Sequence, residues 1–169
     1  MKRLPNYDYI LKEIPIFSGL LPKQYAYIRQ KSVFREFKKG QVIYKEGSAP
    51  SCLYCIIRGR ISIATQDRYG KQTTLEHLHR GKFFGVISGL TGEPHSVTAR
   101  AINDSLLLVV AKDDLELFLR KIPQLAIELS RILSRRMRHK EMRAKAIFES
   151  TIISVLSSYP QTGKTVYAS

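Results

Sequence analysis

Between Val33 and Val110 the chain is cut at Gly40, Gly47, Gly59, Gly70 and Gly81 into short runs of β-branched and aromatic residues. Each glycine stands where a tight reversal needs positive φ or close backbone approach. The spacing predicts strands over Val33 to Phe37, Gln41 to Tyr44, Cys52 to Ile57, Arg60 to Ala64, Thr73 to His77, Val97 to Ala101 and Ser105 to Val110. Short strands repeated this regularly favour a sandwich or jelly roll, which protects its own edges. A mainly β unit over residues 32–111 is therefore expected, with helices on either side.

The flanks carry helical signals. In residues 1–31, the turn after Ile14-Pro15-Ile16-Phe17-Ser18-Gly19-Leu20 is followed by Pro22, a residue suited to the first helical position. After Val110 the apolar period changes from two to about three and a half. Asp113 or Asp114 is expected to cap a short helix through Leu119, and Pro123 to restart a longer one to about Phe148. In that longer helix Leu125, Leu129, Ile132, Leu133, Met137, Ala144 and Ile147 or Phe148 form one stripe, interrupted at Lys140 and Glu141.

Composition narrows the partners. The 169 residues carry 28 Lys and Arg against 14 Asp and Glu, a formal charge of +14, which raises nucleic acid, anionic membrane or an acidic partner. The excess is densest from Arg131 to Lys145, with seven basic side chains and one acid. An amphipathic helix with arginines on its outer face favours a packing or homodimer helix over a nucleic-acid reader. No apolar run reaches the roughly 20 residues of a membrane helix, and the first residues lack the apolar stretch of a signal peptide, so a cytoplasmic location without membrane insertion is expected. Cys52 and Cys55 have a CxxC spacing, but on a strand they point to opposite faces with no second pair to complete a metal site, and packed thiols are expected. His77 and His79 share a strand face without a third ligand, and with His95 and His139 they show no metal-ligand spacing. No metal site and no catalytic residues are expected, and no nucleophile-elbow context is present.

The β region resembles the cyclic-nucleotide-binding domain of the catabolite-activator (Crp/Fnr) regulators and the cyclic-nucleotide-dependent kinases. The resemblance runs from about Ile14 to Phe148. It rests on the entry from Pro15 to Leu20, Lys38 to Gly47, the hairpin from Leu53 to Ile63, and Gly81-Lys82-Phe83-Phe84-Gly85. It implies a β jelly roll (double-stranded β-helix), N-terminal helices, and a long dimer helix over residues 112–148 including its hinge. It further implies a phosphate-binding cassette at residues 85–101, whose short helix, Glu and Arg would hold the cyclic phosphate and ribose.

Two cassette positions depart from that pattern. Val86 stands where the ribose-binding Glu is expected, and His95 replaces the phosphate-binding Arg, exchanging a permanent bidentate cation for a weak, pH-dependent one. Each lost charge-assisted hydrogen bond costs about 1.5 to 3 kcal/mol, enough together to take micromolar affinity to millimolar. Three readings stay open. Val86 fills a degenerate scaffold; another nucleotide or small anionic ligand is held by Gly85, Val86, Ile87, Ser88, His95 and Ser96; or a cyclic nucleotide binds weakly. The resemblance also places Lys140 and Glu141 near the base of a bound ligand, as a lid.

Residues 149–169 resemble the start of a Walker-type ATPase of the MinD/ParA kind: a buried-strand pattern, then Gly163, Lys164 and Thr165 as a degenerate P-loop. The chain is expected to be a non-enzymatic regulatory module, sensing a ligand or dimerising, that signals to a C-terminal output domain it does not itself contain. The alternative is the N-terminal effector domain of a Crp/Fnr-type DNA-binding transcription regulator.

Overall fold

The computed structural model describes residues 7–138. Three short helical elements lead in: α1 (Tyr7–Glu13), a single 3-10 turn (Pro15–Phe17) and α2 (Pro22–Gln30). Pro22 opens α2 as its sequence suggested, and Gln24 Oε1 accepts the otherwise unpaired Leu21 N–H at 2.8 Å.

Eight strands follow: β1 (Ser32–Phe37), β2 (Val42–Tyr44), β3 (Cys52–Arg58), β4 (Arg60–Gln66), β5 (Gln72–His79), β6 (Phe83–Phe84), β7 (Thr98–Ala101) and β8 (Ser105–Ala111). They form two four-stranded antiparallel sheets, ordered β1-β8-β3-β6 and β2-β7-β4-β5. This is the expected mainly β jelly roll. Seven strands coincide with those read from the sequence; β6 is additional, a two-residue pairing of Phe83 and Phe84 with Cys55 and Tyr54.

The two faces of the first sheet explain why β3 and β8 read as nearly continuous apolar runs. Tyr54, Ile56, Leu107 and Val109 face the second sheet, where they meet Tyr44, Ile61, Ile63, Leu78, Ala99 and Ala101. The alternate residues Leu53, Cys55, Leu108 and Val110 are buried as well, on the face that helix α4 (Lys112–Lys121) packs against. A strand buried on both sides loses the polar alternation of a half-exposed one. Burying each such Leu, Ile or Val contributes about 1.5–3 kcal/mol. Edge strand β5 is exposed over most of its length, with Leu78 as its buried anchor. Cys52 and Cys55 are both free thiols, and burial pushes the Cys55 thiol pKa up.

Gly59 joins β3 to β4 at φ +102, and a Cβ there would lie 2.7 Å from the Ser105 Cα, so only glycine fits this hairpin. The same corner is fixed by the Arg60 N–H donating to Asn103 Oδ1 at 2.8 Å.

Asp113 and Asp114 do not cap α4. Its N-cap is Ala111, without a side-chain cap, and both carboxylates lie in the first turn, where they complement the helix dipole. Asp114 instead accepts the Lys31 ammonium at 2.7 Å. Beside it the Tyr27 ring meets Phe118 edge-on at 5.5 Å and lies under the Lys121 ammonium at 5.0 Å, so an ion pair, an aromatic contact and a cation–π contact tie α2 and its C-cap to α4.

The chain divides into two compact units after Ala126. In the second, residues 127–138 are helical, within a helix described over 123–138. Of its expected stripe, Leu125 and Leu129 are buried and Ile132 and Leu133 half-buried, but Met137 is 66% exposed. Ala144, Ile147, Phe148, Lys140, Glu141, His139 and the Gly163-Lys164-Thr165 loop lie outside the described residues.

Candidate functional site

The cassette begins where β6 ends. Gly85 takes φ +80 and serves as the N-cap of α3 (Val86–Thr91); a Cβ at Gly85 would lie 2.6 Å from the Cys52 carbonyl oxygen and 3.1 Å from the Tyr54 ring. The left-handed turn thus lets the chain double back against β3. Gly92, at φ +76, ends α3, its N–H donating to the Ser88 carbonyl at 2.9 Å.

Residues 93–97 then run across to the turn after β2. The His95 N–H donates to the Ser48 carbonyl at 2.9 Å, and the Gly47 N–H donates to the His95 carbonyl at 2.7 Å. Two backbone bonds fix the position of His95, and the Glu46 N–H, donating to Thr98 Oγ1 at 3.0 Å, continues the seam.

This seam drives the His95 side chain inward. The imidazole is 2% exposed and stacks on the Tyr44 ring at 3.7 Å between centroids and 9° between planes. Tyr44 in turn lies 5.9 Å from both Tyr54 and Phe84, which are themselves stacked at 5.2 Å. Four aromatic rings drawn from β2, β3, β6 and the cassette loop therefore fill one region between the sheets. His95 Nε2 is buried there without a hydrogen-bond partner, and burial pushes its pKa below the ordinary value. Burial likewise pushes the Tyr44 hydroxyl pKa up, so both rings are uncharged at neutral pH.

Of the six cassette residues singled out in the sequence, Val86, Ser88 and His95 are buried and Gly85 is half-buried. Ile87 is 63% exposed and Ser96 is exposed, so these two do not share the interior with His95. Val86 is 2% exposed and offers no acceptor to a ribose hydroxyl. Tyr44, Tyr54 and Phe84 are the site residues that sequence reasoning missed. No group of three metal-ligating side chains exists among the described residues, so His77 and His79 gain no third ligand there. No described helix is long and apolar enough to cross a membrane.

The chain is similar to the cyclic AMP receptor protein of Thermus thermophilus, at 28% identity over 132 residues, 78% of this chain and 61% of that one. The crystal structure of the Thermus thermophilus catabolite activator protein is similar at a TM-score of 0.71 and 27% identity, covering 79% of this chain and 62% of that chain. A regulatory subunit of a cAMP-independent protein kinase A from Trypanosoma cruzi, bound to guanosine, shares the fold at a TM-score of 0.67 and 20% identity, covering 74% of this chain and 44% of that chain. The chain spans about three fifths of the length of the bacterial relative it matches. Residues 34–121 match the cyclic nucleotide-binding domain as a family, more than half of the 169 residues, and the spaced glycines, the two sheets and the cassette turn at Gly85 all agree with that match. The chain belongs to the cyclic nucleotide-binding domain family, with the Crp/Fnr type of regulatory jelly roll.

Proposed function

We propose that this domain is a non-enzymatic regulatory module whose cassette does not read a cyclic phosphate by charge, and that it acts by ligand sensing or dimerisation on a C-terminal output domain. One observation carries the reading: the cassette position that the family gives to a phosphate-binding Arg is held by a buried, uncharged His95 stacked on Tyr44. Moving a cyclic phosphate beside that ring takes an anion out of water with no permanent cation to receive it. Val86 removes the ribose acceptor as well. The fold tolerates a ligand without phosphate, since the trypanosomal relative is bound to guanosine.

Signalling in this reading runs through α4, which carries the hinge between the jelly roll and the helix from residue 123. A ligand acts there only by favouring one arrangement over another. The helix from Pro123 supplies the homodimer contact. In the alternative reading the same module is the effector half of a DNA-binding regulator, which the similarity to a catabolite activator supports. Binding to random duplex that weakens steeply with salt separates the two.

The test is isothermal titration with cyclic AMP and cyclic GMP at about pH 6 and about pH 8, a range that brackets the ordinary imidazole pKa. The expected result is no binding tighter than millimolar at either pH. Micromolar binding at the higher pH, where His95 is neutral, overturns the reading.

A further inference from the structure

We propose that the outer face of the second sheet, with the β4–β5 hairpin that extends it, docks on the surface of an anionic lipid bilayer. This goes beyond the reading of the cassette and is independent of it. Strand register defines the face. Ile61, Ile63, Leu78, Ala99 and Ala101 turn into the core, so their strand neighbours Arg60, Ser62, His77, His79, Thr98 and Arg100 turn outward. Pairing sets Ser62 between His77 and Arg100, and Arg60 beside His79.

The described helices sit on the other sheet: α2 packs on β1, α3 on β3, and α4 on β3 and β8. Arg60, Arg100, His77 and His79 are all exposed. The carboxylates around the face are already engaged. Asp104 accepts from the Lys38 ammonium and the Lys39 N–H, Glu46 from the Thr65 hydroxyl and the Gln66 N–H, and Asp67 from the Tyr69 and Lys71 N–H groups. Glu76 is paired with the core-facing Ile63 and so turns to the opposite side of β5. Arg100 Nη1 donates to the neutral Gly40 carbonyl at 2.9 Å, which fixes the guanidinium without cancelling its charge. The face is therefore cationic and complements an anionic partner.

The hairpin decides which anionic partner. At its tip Tyr69 is 82% exposed between Arg68 and Lys71, with the Arg68 guanidinium 5.3 Å from the ring centre. Further along β5, Leu75 is 51% exposed where the pairing with β4 slips by one residue. An amphipathic ring and a leucine flanked by cations suit the headgroup zone of a bilayer, where the apolar parts leave water and the charges meet acidic lipids. Duplex phosphates would take the cations but leave Tyr69 and Leu75 in water. The six outward side chains include no Phe, Tyr or Trp on which unpaired bases would stack.

Each Lys or Arg held at an anionic leaflet raises partitioning about five-fold. Arg60, Arg68, Lys71 and Arg100 together raise it about 600-fold over a neutral leaflet. The docking is peripheral and reversible, and salt screens it.

The experiment uses the full chain with vesicles of phosphatidylcholine alone or of equal parts phosphatidylcholine and phosphatidylserine. The chain contains no tryptophan, so Tyr69→Trp supplies a single reporter at the hairpin tip. Sedimentation with the anionic vesicles and a shift of that tryptophan's emission to shorter wavelength are expected, both lost in high salt and absent with neutral vesicles. Arg60→Gln combined with Lys71→Gln is expected to weaken the binding about thirty-fold. At both positions the backbone N–H, rather than the side chain, makes the hydrogen bond that holds the fold, so thermal unfolding of this variant is expected to match the parent. Arg135→Gln combined with Arg138→Gln tests the basic stretch from Arg131 to Lys145 and is expected to leave the emission shift in place. Failure to bind anionic vesicles overturns the inference. So does binding without the emission shift, or binding that the Arg135 and Arg138 variant abolishes and the Arg60 and Lys71 variant spares. Random duplex DNA that captures the chain through Arg60 and Lys71, while vesicles do not, assigns the face to nucleic acid and overturns it as well.

Discussion

Restoring the two absent cassette groups is the sharpest perturbation the site allows. In the double variant Val86→Glu with His95→Arg, a carboxylate replaces a side chain that is 2% exposed and a guanidinium replaces an imidazole that is also 2% exposed. Two opposing terms follow. Without ligand, the buried charges are poorly solvated, and an uncompensated buried charge costs about 3–5 kcal/mol, offset in part by stacking of the guanidinium on Tyr44. With cyclic AMP, each new group gains a charge-assisted hydrogen bond of about 1.5–3 kcal/mol, so the pair adds about 3–6 kcal/mol of binding, roughly two to four orders of magnitude in Kd. The variant is therefore expected to unfold at lower temperature than the parent when empty. It regains about 2.7 kcal/mol when cyclic AMP is present at about a hundred times its Kd. Isothermal titration and thermal unfolding with and without cyclic AMP read both halves. Each single variant is expected to recover about half of the gain on a logarithmic scale. A folded double variant that binds cyclic AMP no better than the parent refutes the argument that Val86 and His95 are what exclude the cyclic phosphate.

Three further outcomes follow from the same structure. Because burial holds the His95 pKa below its ordinary value of 6.5, the unfolded chain binds more protons than the folded one as pH falls through that value. Stability attributable to this group is thus present above the ordinary imidazole pKa and declines as pH falls below it, a decline that His95→Phe removes in urea titrations on either side of that pKa. Asp104, held low by the Lys39 N–H and Lys38, and Glu13, held low by Tyr9 and Arg80, act in the opposite sense, losing their contribution only as pH falls through the carboxylate range. Gly85→Ala is expected to cost about 2 kcal/mol or more, from its left-handed backbone and the Cys52 carbonyl, whereas Gly40→Ala, at φ +83 with nothing within 4 Å, costs only the backbone share of about 1–2 kcal/mol; urea midpoints compare them. Sedimentation of the full chain is expected to give a homodimer that Met137→Glu weakens, Met137 being 66% exposed; an unchanged dimer assigns the contact to other residues.

Much of the fold was written in short-range chemistry. Gly40, Gly47, Gly59, Gly70 and Gly81 all take positive φ, and the runs between them are strands, because a turn's backbone demand acts on the residue that meets it. Strand β6 was missed because two residues between Gly81 and Gly85 carry no period of their own; only pairing with β3 makes Phe83 and Phe84 a strand. Asp113 and Asp114 looked like caps, but the Lys31 ammonium across the fold claims Asp114. For the site, Val86 and His95 were visible from cassette spacing alone. Tyr44, Tyr54 and Phe84 were not, since residues so far apart in sequence meet only through the closure of two sheets. What a motif cannot display is the empty valence at Nε2, which exists only once those rings have sealed it in.

In the proposed signalling reading, the contact between α2 and α4 would make the amino-terminal helices part of any output. If α4 swings, the Lys31–Asp114 pair and the Tyr27–Phe118 contact must either carry residues 22–30 with it or part. A rigid coupling would transmit displacement to the front of the chain as faithfully as to its far end, whereas a parting one would make the break itself a threshold that sets how much ligand energy is needed to trip the hinge. If the proposed hinge operates, the first helices would act as a mechanical load on it.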